Sequence, residues 1–247
     1  MNTNQKGTYG EVVEQLNVVA DPVRAKSSAW FFKTGKGEYG EGDTFIGVKV
    51  PEQRLVAKKF ARLPLPDIDR LLRSKVHEHR LTAWFILYGQ FLKSNEAKRG
   101  ALVAFLMKHT KCANNWDMVD TGAAPMLGTW LLDKDRKILY KLVKSKNLWE
   151  RRIAIIATQR FIPHGQFEDT LRLAEILLTD KHDLIHKAVG WILREVGNRD
   201  REAESKFLRK YCRKMPRTML RYAIEKYPPS HRKAYLQVIY DEKHLPS

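Results

Sequence analysis

Trp116 and Asp120 are the residues whose types and spacing first point to chemistry, in the stretch NNWDMVDTGAAPMLGTWLL from Asn114 to Leu132. A carboxylate four residues after an indole shares a helix face with it. The chain carries a formal net charge of +17, so an acid in its apolar middle has two readings. Either it neutralises neighbouring arginines, or it stands against positive charge that develops in a ligand during reaction. Asp117 has a simpler explanation. With Asn114 or Asn115 as N-cap, it falls in the first helical turn, where a negative charge favours the helix dipole.

Other constellations are weaker. Trp149 and Trp191 are helical tryptophans; Trp149 reads as packing between helices, whereas Trp191 follows Gly190, a gap that leaves room beside the ring. A sugar or base packs well on an exposed indole. Lys134, Lys137, Lys141 and Lys144 form one basic stripe, and Lys206, Arg209, Lys210 and Arg213 another. The excess of one sign favours phosphate contact by some of them. HDLIH spaces His182 and His186 as helical metal ligands, but it lacks the glutamate of a zincin and a nearby third ligand, so no metal and no cofactor are expected. Spacing reveals no Ser-His-Asp or Cys-His arrangement.

The elements that position these residues are helical. VHEHRLTAWFILYGQFL, WERRIAIIATQRFI and TLRLAEILL carry apolar residues at three- and four-residue steps. Pro51, Pro64, Pro66, Pro163, Pro216 and the Pro228–Pro229 pair punctuate them. TGKGEYGEGDT, residues 34 to 44, is glycine-rich with mixed charge and matches neither a phosphate loop nor a dinucleotide fingerprint, so it reads as a surface loop. Aligning the helices on Arg80, Asp120, Arg152, Lys187 and Arg221 gives gaps of 40, 32, 35 and 34 residues. That is the period of HEAT-type helical hairpins. The fold expected is therefore all-α: a curved solenoid of antiparallel HEAT-like repeats, forming one domain over residues 1–247. At the equivalent inner-helix position stand four basic residues and one acid, Asp120.

Composition agrees with a nucleic-acid partner. Lys and Arg number 45 against 28 Asp and Glu in 247 residues, with a pI near 9.9. No apolar run has the length of a membrane span, and the polar start MNTNQKGTYGE is no signal peptide. Cys112 and Cys212 lack metal-ligand spacing and read as reduced thiols, so a cytoplasmic monomer is expected.

NWDMVDTGAAPMLG (115–128), NLWERRIAI (147–155) and KAVGWILRE (187–195), with a fainter FIGVKVPEQR (45–54), resemble the AlkD-type DNA alkylation repair glycosylases, a family built from HEAT-like repeats. The likeness covers roughly residues 45 to 226. It implies that Trp116, Asp120 and Trp191 form the catalytic cleft and that Arg152 helps hold DNA beside them. It also places Arg54, Lys187 and Arg194 at basic DNA-facing positions. An aromatic on an early helix, often tyrosine in the family, is matched here by Phe31 or by Trp30. The glycine-rich loop that follows is longer than the family's.

That resemblance implies a chemistry the residues suit. N3- and N7-alkylated purines carry a positive charge and leave readily, and the deoxyribose left behind is oxocarbenium-like. Asp120 would stabilise this cation and position the attacking water, while the two indoles pack against the sugar. The partner expected is duplex DNA with alkylated bases. The alternative is a non-catalytic HEAT-repeat scaffold that binds nucleic acid or protein, which would need the basic stripes but not Asp120 with both tryptophans.

Overall fold

Apolar residues recur at helical steps along almost the whole chain, and each such run folds as a helix. The computed structural model describes residues 7–237. Among them no strand forms, and the one isolated bridge pairs Thr44 with Val76. In chain order the helices are α1 (Tyr9–Val18), α2 (Pro22–Phe31), α3 (Val50–Lys59), α4 (Leu65–Leu72), α5 (His77–Leu92) and α6 (Glu96–Lys108). Then come α7 (Trp116–Met118), a π-helical segment (Val119–Ala123) and α8 (Ala124–Leu131) without a break. The rest are α9 (Lys137–Leu142), α10 (Leu148–Ala157), α11 (Glu168–Ile176), α12 (Asp183–Arg199), α13 (Arg201–Tyr211), α14 (Arg217–Ala223) and α15 (Pro229–Gln237). The expected all-α class is the class observed. By its internal contacts the chain divides into two compact units, Met1–Met126 and Leu127–Ser247.

In the first unit α5 is the core. It is buried on every side from His77 to Leu87, as a helix packed all round must be. Val56 and Phe60 of the α3 hairpin and Ile68, Leu71 and Leu72 of α4 pack on it, and Val12 and Leu16 of α1 close the layer. No side chain caps α5. Instead its first turn presents Glu78, whose carboxylate accepts the backbone N–H groups of Ile46, Gly47 and Val48 at 2.7 to 3.3 Å. This ties the segment before α3 to α5. Gly47 has φ 81°, and a Cβ there would fall 2.1 Å from the Asp21 carbonyl oxygen, so only glycine fits. Asp21 caps α2 by accepting from Val23 and Arg24 N–H, and the Arg24 amide is the main reason its pKa is lowered.

In the second unit α12 is central. Ile185, Ala188, Val189, Ile192, Leu193 and Val196 form its buried stripe, against which α10, α11, α13 and α14 pack. Asn147 caps α10, and Asp200 caps α13.

Candidate functional site

Trp116 begins α7, and Asn115 is the cap that starts it there, accepting from the Trp116 N–H at 2.8 Å. Asp120 is half-buried one turn later, as the second residue of the π-helical segment. Pro125 explains that wide turn. A proline in a helix interior has no N–H to give and clashes with the carbonyl four residues earlier, and widening the turn relieves the clash. Thr121 Oγ1 also hydrogen-bonds to the Asp117 carbonyl at 2.6 Å. The regular spacing expected between Trp116 and Asp120 is thus replaced by a π turn, a geometry that recurs at functional sites.

Behind Trp116 lies a stack of aromatic rings. Phe32 stacks on Trp116 with centroids 5.3 Å apart and on Phe45 at 5.2 Å, and Phe45 stacks on His77 at 4.6 Å. Phe31 meets Trp116 edge-on at 6.0 Å and stays 56% exposed, whereas Trp30 is 76% exposed. Of the two early-helix candidates, Phe31 is the one against Trp116. Phe32 and Phe45, which hold the indole from behind, were not singled out in the sequence; their clustering needs the 32–45 loop to fold back.

A buried polar network fixes this stack. His77 Nε2 bonds Asp117 at 2.8 Å, and Nδ1 faces Asp43 at 3.4 Å. Arg80 pairs with Asp43 at 2.7 Å and donates to Asn114 and to the Ser74 carbonyl. Burial pushes the His77 pKa down, but Asp117 and Asp43 more than offset it, so the net shift is upward. Asp117 lies in the first turn behind its Asn115 cap, as expected, and it also has a buried partner in His77. Residues 34–44 are exposed over Gly35–Glu38, yet the Asp43 side chain at the end of the loop is only 5% exposed.

Arg80 is buried and neutralises Asp43, so it does not offer its charge to a phosphate. Arg152 is also buried, at 5% exposure, and donates to the Leu184 carbonyl at the start of α12. Of the supposed inner-face cations, Arg221 is exposed and Lys187 is half-exposed, paired with Asp183 at 2.7 Å. Arg54 lies exposed on α3 with its guanidinium over the Phe85 ring at 4.1 Å.

Lys187, Trp191 and Arg194 share one face of α12. The Trp191 indole N–H donates to Glu195 at 3.0 Å, and Arg194 binds Glu225. Glu195 is an acid beside the indole that spacing alone did not mark, although it closes the GWILRE element. The gap expected at Gly190 is filled: a Cβ there would lie 2.4 Å from the Met219 carbonyl oxygen, so the glycine serves close packing of α14. Trp149 is buried, as expected of a packing residue. In the first lysine stripe, Lys134 lies over Trp130 and Lys137 pairs with Asp135; in the second, Arg209 pairs with Glu202.

His182 and His186 serve local structure. His182 Nδ1 caps α12 by accepting from Leu184 N–H, and His186 Nε2 donates to the Asp180 carbonyl. Among the described residues no group of three His, Cys, Asp or Glu side chains is placed to hold a metal ion. No helix among them is long and apolar enough to cross a membrane.

Residues 12–227 match a family model described as DNA alkylation repair enzyme. No curated protein matches the chain. A solved structure described as a predicted DNA alkylation repair enzyme from Enterococcus faecalis is similar in fold, with a TM-score of 0.66 at 16% identity. The match covers 85% of this chain and 97% of that one.

Proposed function

Because the chain belongs to the DNA alkylation repair enzyme family, we propose that it is a glycosylase that excises cationic N3- and N7-alkylated purines from duplex DNA. The observation that carries this reading is the placing of Asp120, in a π turn, one turn after Trp116, whose indole is braced from behind by the half-buried Phe32 ring. A half-buried carboxylate such as Asp120, in a protein with a net charge of +17, repels phosphate, so it weakens simple DNA affinity. It becomes useful where positive charge develops, on the deoxyribose as the base departs. The bond broken is the glycosidic C–N bond. Its electrons leave with the base, whose positive charge they neutralise, and water adds to the sugar carbon with loss of a proton.

In this scheme Asp120 stabilises the sugar cation and orients the water. Trp116 packs an indole face on the polarised sugar C–H groups, and Phe31 extends that apolar surface. Trp191 is given the second indole role on the family resemblance alone, with Lys187 and Arg194 as basic neighbours on α12. Arg54 is assigned to phosphate contact. Arg152 is assigned to holding α12 in place, because its burial leaves its charge inside the protein. The HEAT-like repeat pattern, a DNA duplex as partner and a monomeric, cytoplasmic protein without a cofactor belong to the same reading.

The test is release of 7-methylguanine from methylated DNA by wild type and by Asp120→Asn. Wild-type release, lost in a variant that still folds and still binds DNA, supports the reading. Binding without release by wild type would leave the non-catalytic scaffold in its place.

A further inference from the structure

We propose that the groove between α3, α5 and α6 binds the DNA phosphate backbone several base steps from the lesion, an inference that rests on the function proposed above. Two contiguous cavities of about 190 and 630 Å³ make up the groove, sharing Ala61 and Lys93 in their walls. Arg54, Lys58, Arg62, Lys93 and Lys98 line them, all five are exposed, and no carboxylate does so. The local sequence sets this arrangement. Arg54 and Lys58 are one turn apart on α3, Arg62 follows in the turn after it, Lys93 ends α5 and Lys98 lies in the first turns of α6. Stacking on Phe85 orients the Arg54 guanidinium along the wall.

Five like charges without an acid among them form an anion site. Their spread over two cavities suits a chain of repeated charges better than one free phosphate. The floor is small as well. Ala57, Ala61 and Gly89 line it, and a Cβ added at Gly89 meets nothing within 4 Å.

The helix fixes the distance. His77, beneath the aromatic stack, starts α5, whereas Phe85 lies midway along it and Lys93 caps its far end. At 1.5 Å per residue the groove therefore runs from about 12 to about 24 Å beyond His77. One strand rises about 3.4 Å per nucleotide, so a duplex lying along α5 would meet the groove with phosphates roughly four to seven steps along one flank.

Gly89→Glu places a negative charge in the groove on a Cβ that meets no neighbour, and Gly89→Gln adds the same bulk without charge. Fluorescence anisotropy on an undamaged duplex of about 30 base pairs should show Gly89→Glu binding about tenfold more weakly than wild type, with a shallower salt dependence. Gly89→Gln should lose much less, and neither variant should melt earlier, since helix propensity favours both over glycine. On a 7-methylguanine duplex trimmed to about three pairs on each side and closed at both ends by uncharged polyether linkers in place of nucleotide loops, wild type and Gly89→Glu should release base at equal rates. Unchanged affinity for the long duplex, or an equal loss on the trimmed one, would overturn the proposal. If wild type binds as described but releases no base, the glycosylase reading fails while the groove stands.

Discussion

His77 and Asp117 share a buried hydrogen bond of 2.8 Å, and the other nitrogen of the same imidazole faces Asp43. One ring thus joins the glycine-rich loop to the helix that begins at Trp116, and it stacks on Phe45 while doing so. The site proposed for chemistry is held by a charge network on its inner side.

This network makes stability depend on pH in a definite direction. The folded His77 pKa lies above its ordinary 6.5, so the folded state holds the proton more tightly than the unfolded chain. The stabilisation is complete below about 6.5 and is lost as pH rises through the raised value. Thermal melts of wild type from pH 5.5 to 9 should show this decline. His77→Gln should remove that component and lower stability by roughly 3–5 kcal/mol at pH 6, since it leaves the buried Asp117 carboxylate without its hydrogen-bonded cation, whereas Asp43 keeps Arg80. A variant as stable as wild type at pH 6 would mean that the pair contributes nothing.

Glu204 should act in the same direction by a different route. Its side chain is fully buried on α13 against Gly197, and burial pushes its pKa from 4.5 up to about 7 despite Arg201. Ionisation therefore costs the folded state, and stability falls between about pH 4.5 and pH 7. Glu204→Gln should melt higher than wild type at pH 8, by up to about 3 kcal/mol, and match it more closely at pH 4.5. Calorimetry at the two pH values reads the difference, and equal gains at both would contradict the assignment.

Lesion choice follows from what the site lacks. The proposed constellation of one carboxylate and two indoles provides no acid to protonate a neutral leaving base, and each tenfold in rate corresponds to about 1.4 kcal/mol of barrier. An excision panel on otherwise identical duplexes should show 7-methylguanine and 3-methyladenine released, with uracil, 8-oxoguanine and hypoxanthine left in place. Comparable rates on a neutral and a cationic lesion would reveal a general acid.

The two arginines assigned different roles should separate cleanly. Arg54→Ala should make the salt dependence of duplex binding shallower by about one unit, because it removes an exposed phosphate contact. Arg152→Ala should leave that slope unchanged. It should instead cost about 1–3 kcal/mol in a denaturant melt, because the part-buried Leu184 carbonyl loses its donor. A shifted slope with unchanged stability would return Arg152 to the DNA surface.

Local chemistry settled much of this protein. Helix type follows from apolar residues at three- and four-residue steps, and the helix starts at Asn115 and Asn147 follow from their side chains, because backbone hydrogen bonding depends on neighbours a turn away. The WDMVD and GWILRE elements were legible for the same reason, since residues one turn apart meet on any helix. Pro125 was a signal in plain view for the π turn around Asp120.

Burial of charge was decided only by the tertiary structure. Arg54, Arg80 and Arg152 look alike in the sequence, yet one lies exposed on a ring, one neutralises Asp43 and one ties down the Leu184 carbonyl. Asp43 and Asp117 are 74 residues apart in numbering, and they meet through His77 only once the loop folds back on α5. The Phe32–Phe45–His77 stack behind Trp116 arises the same way. A charged group enters the interior only where a partner waits for it, and which partner waits depends on segments that the chain brings together from far apart.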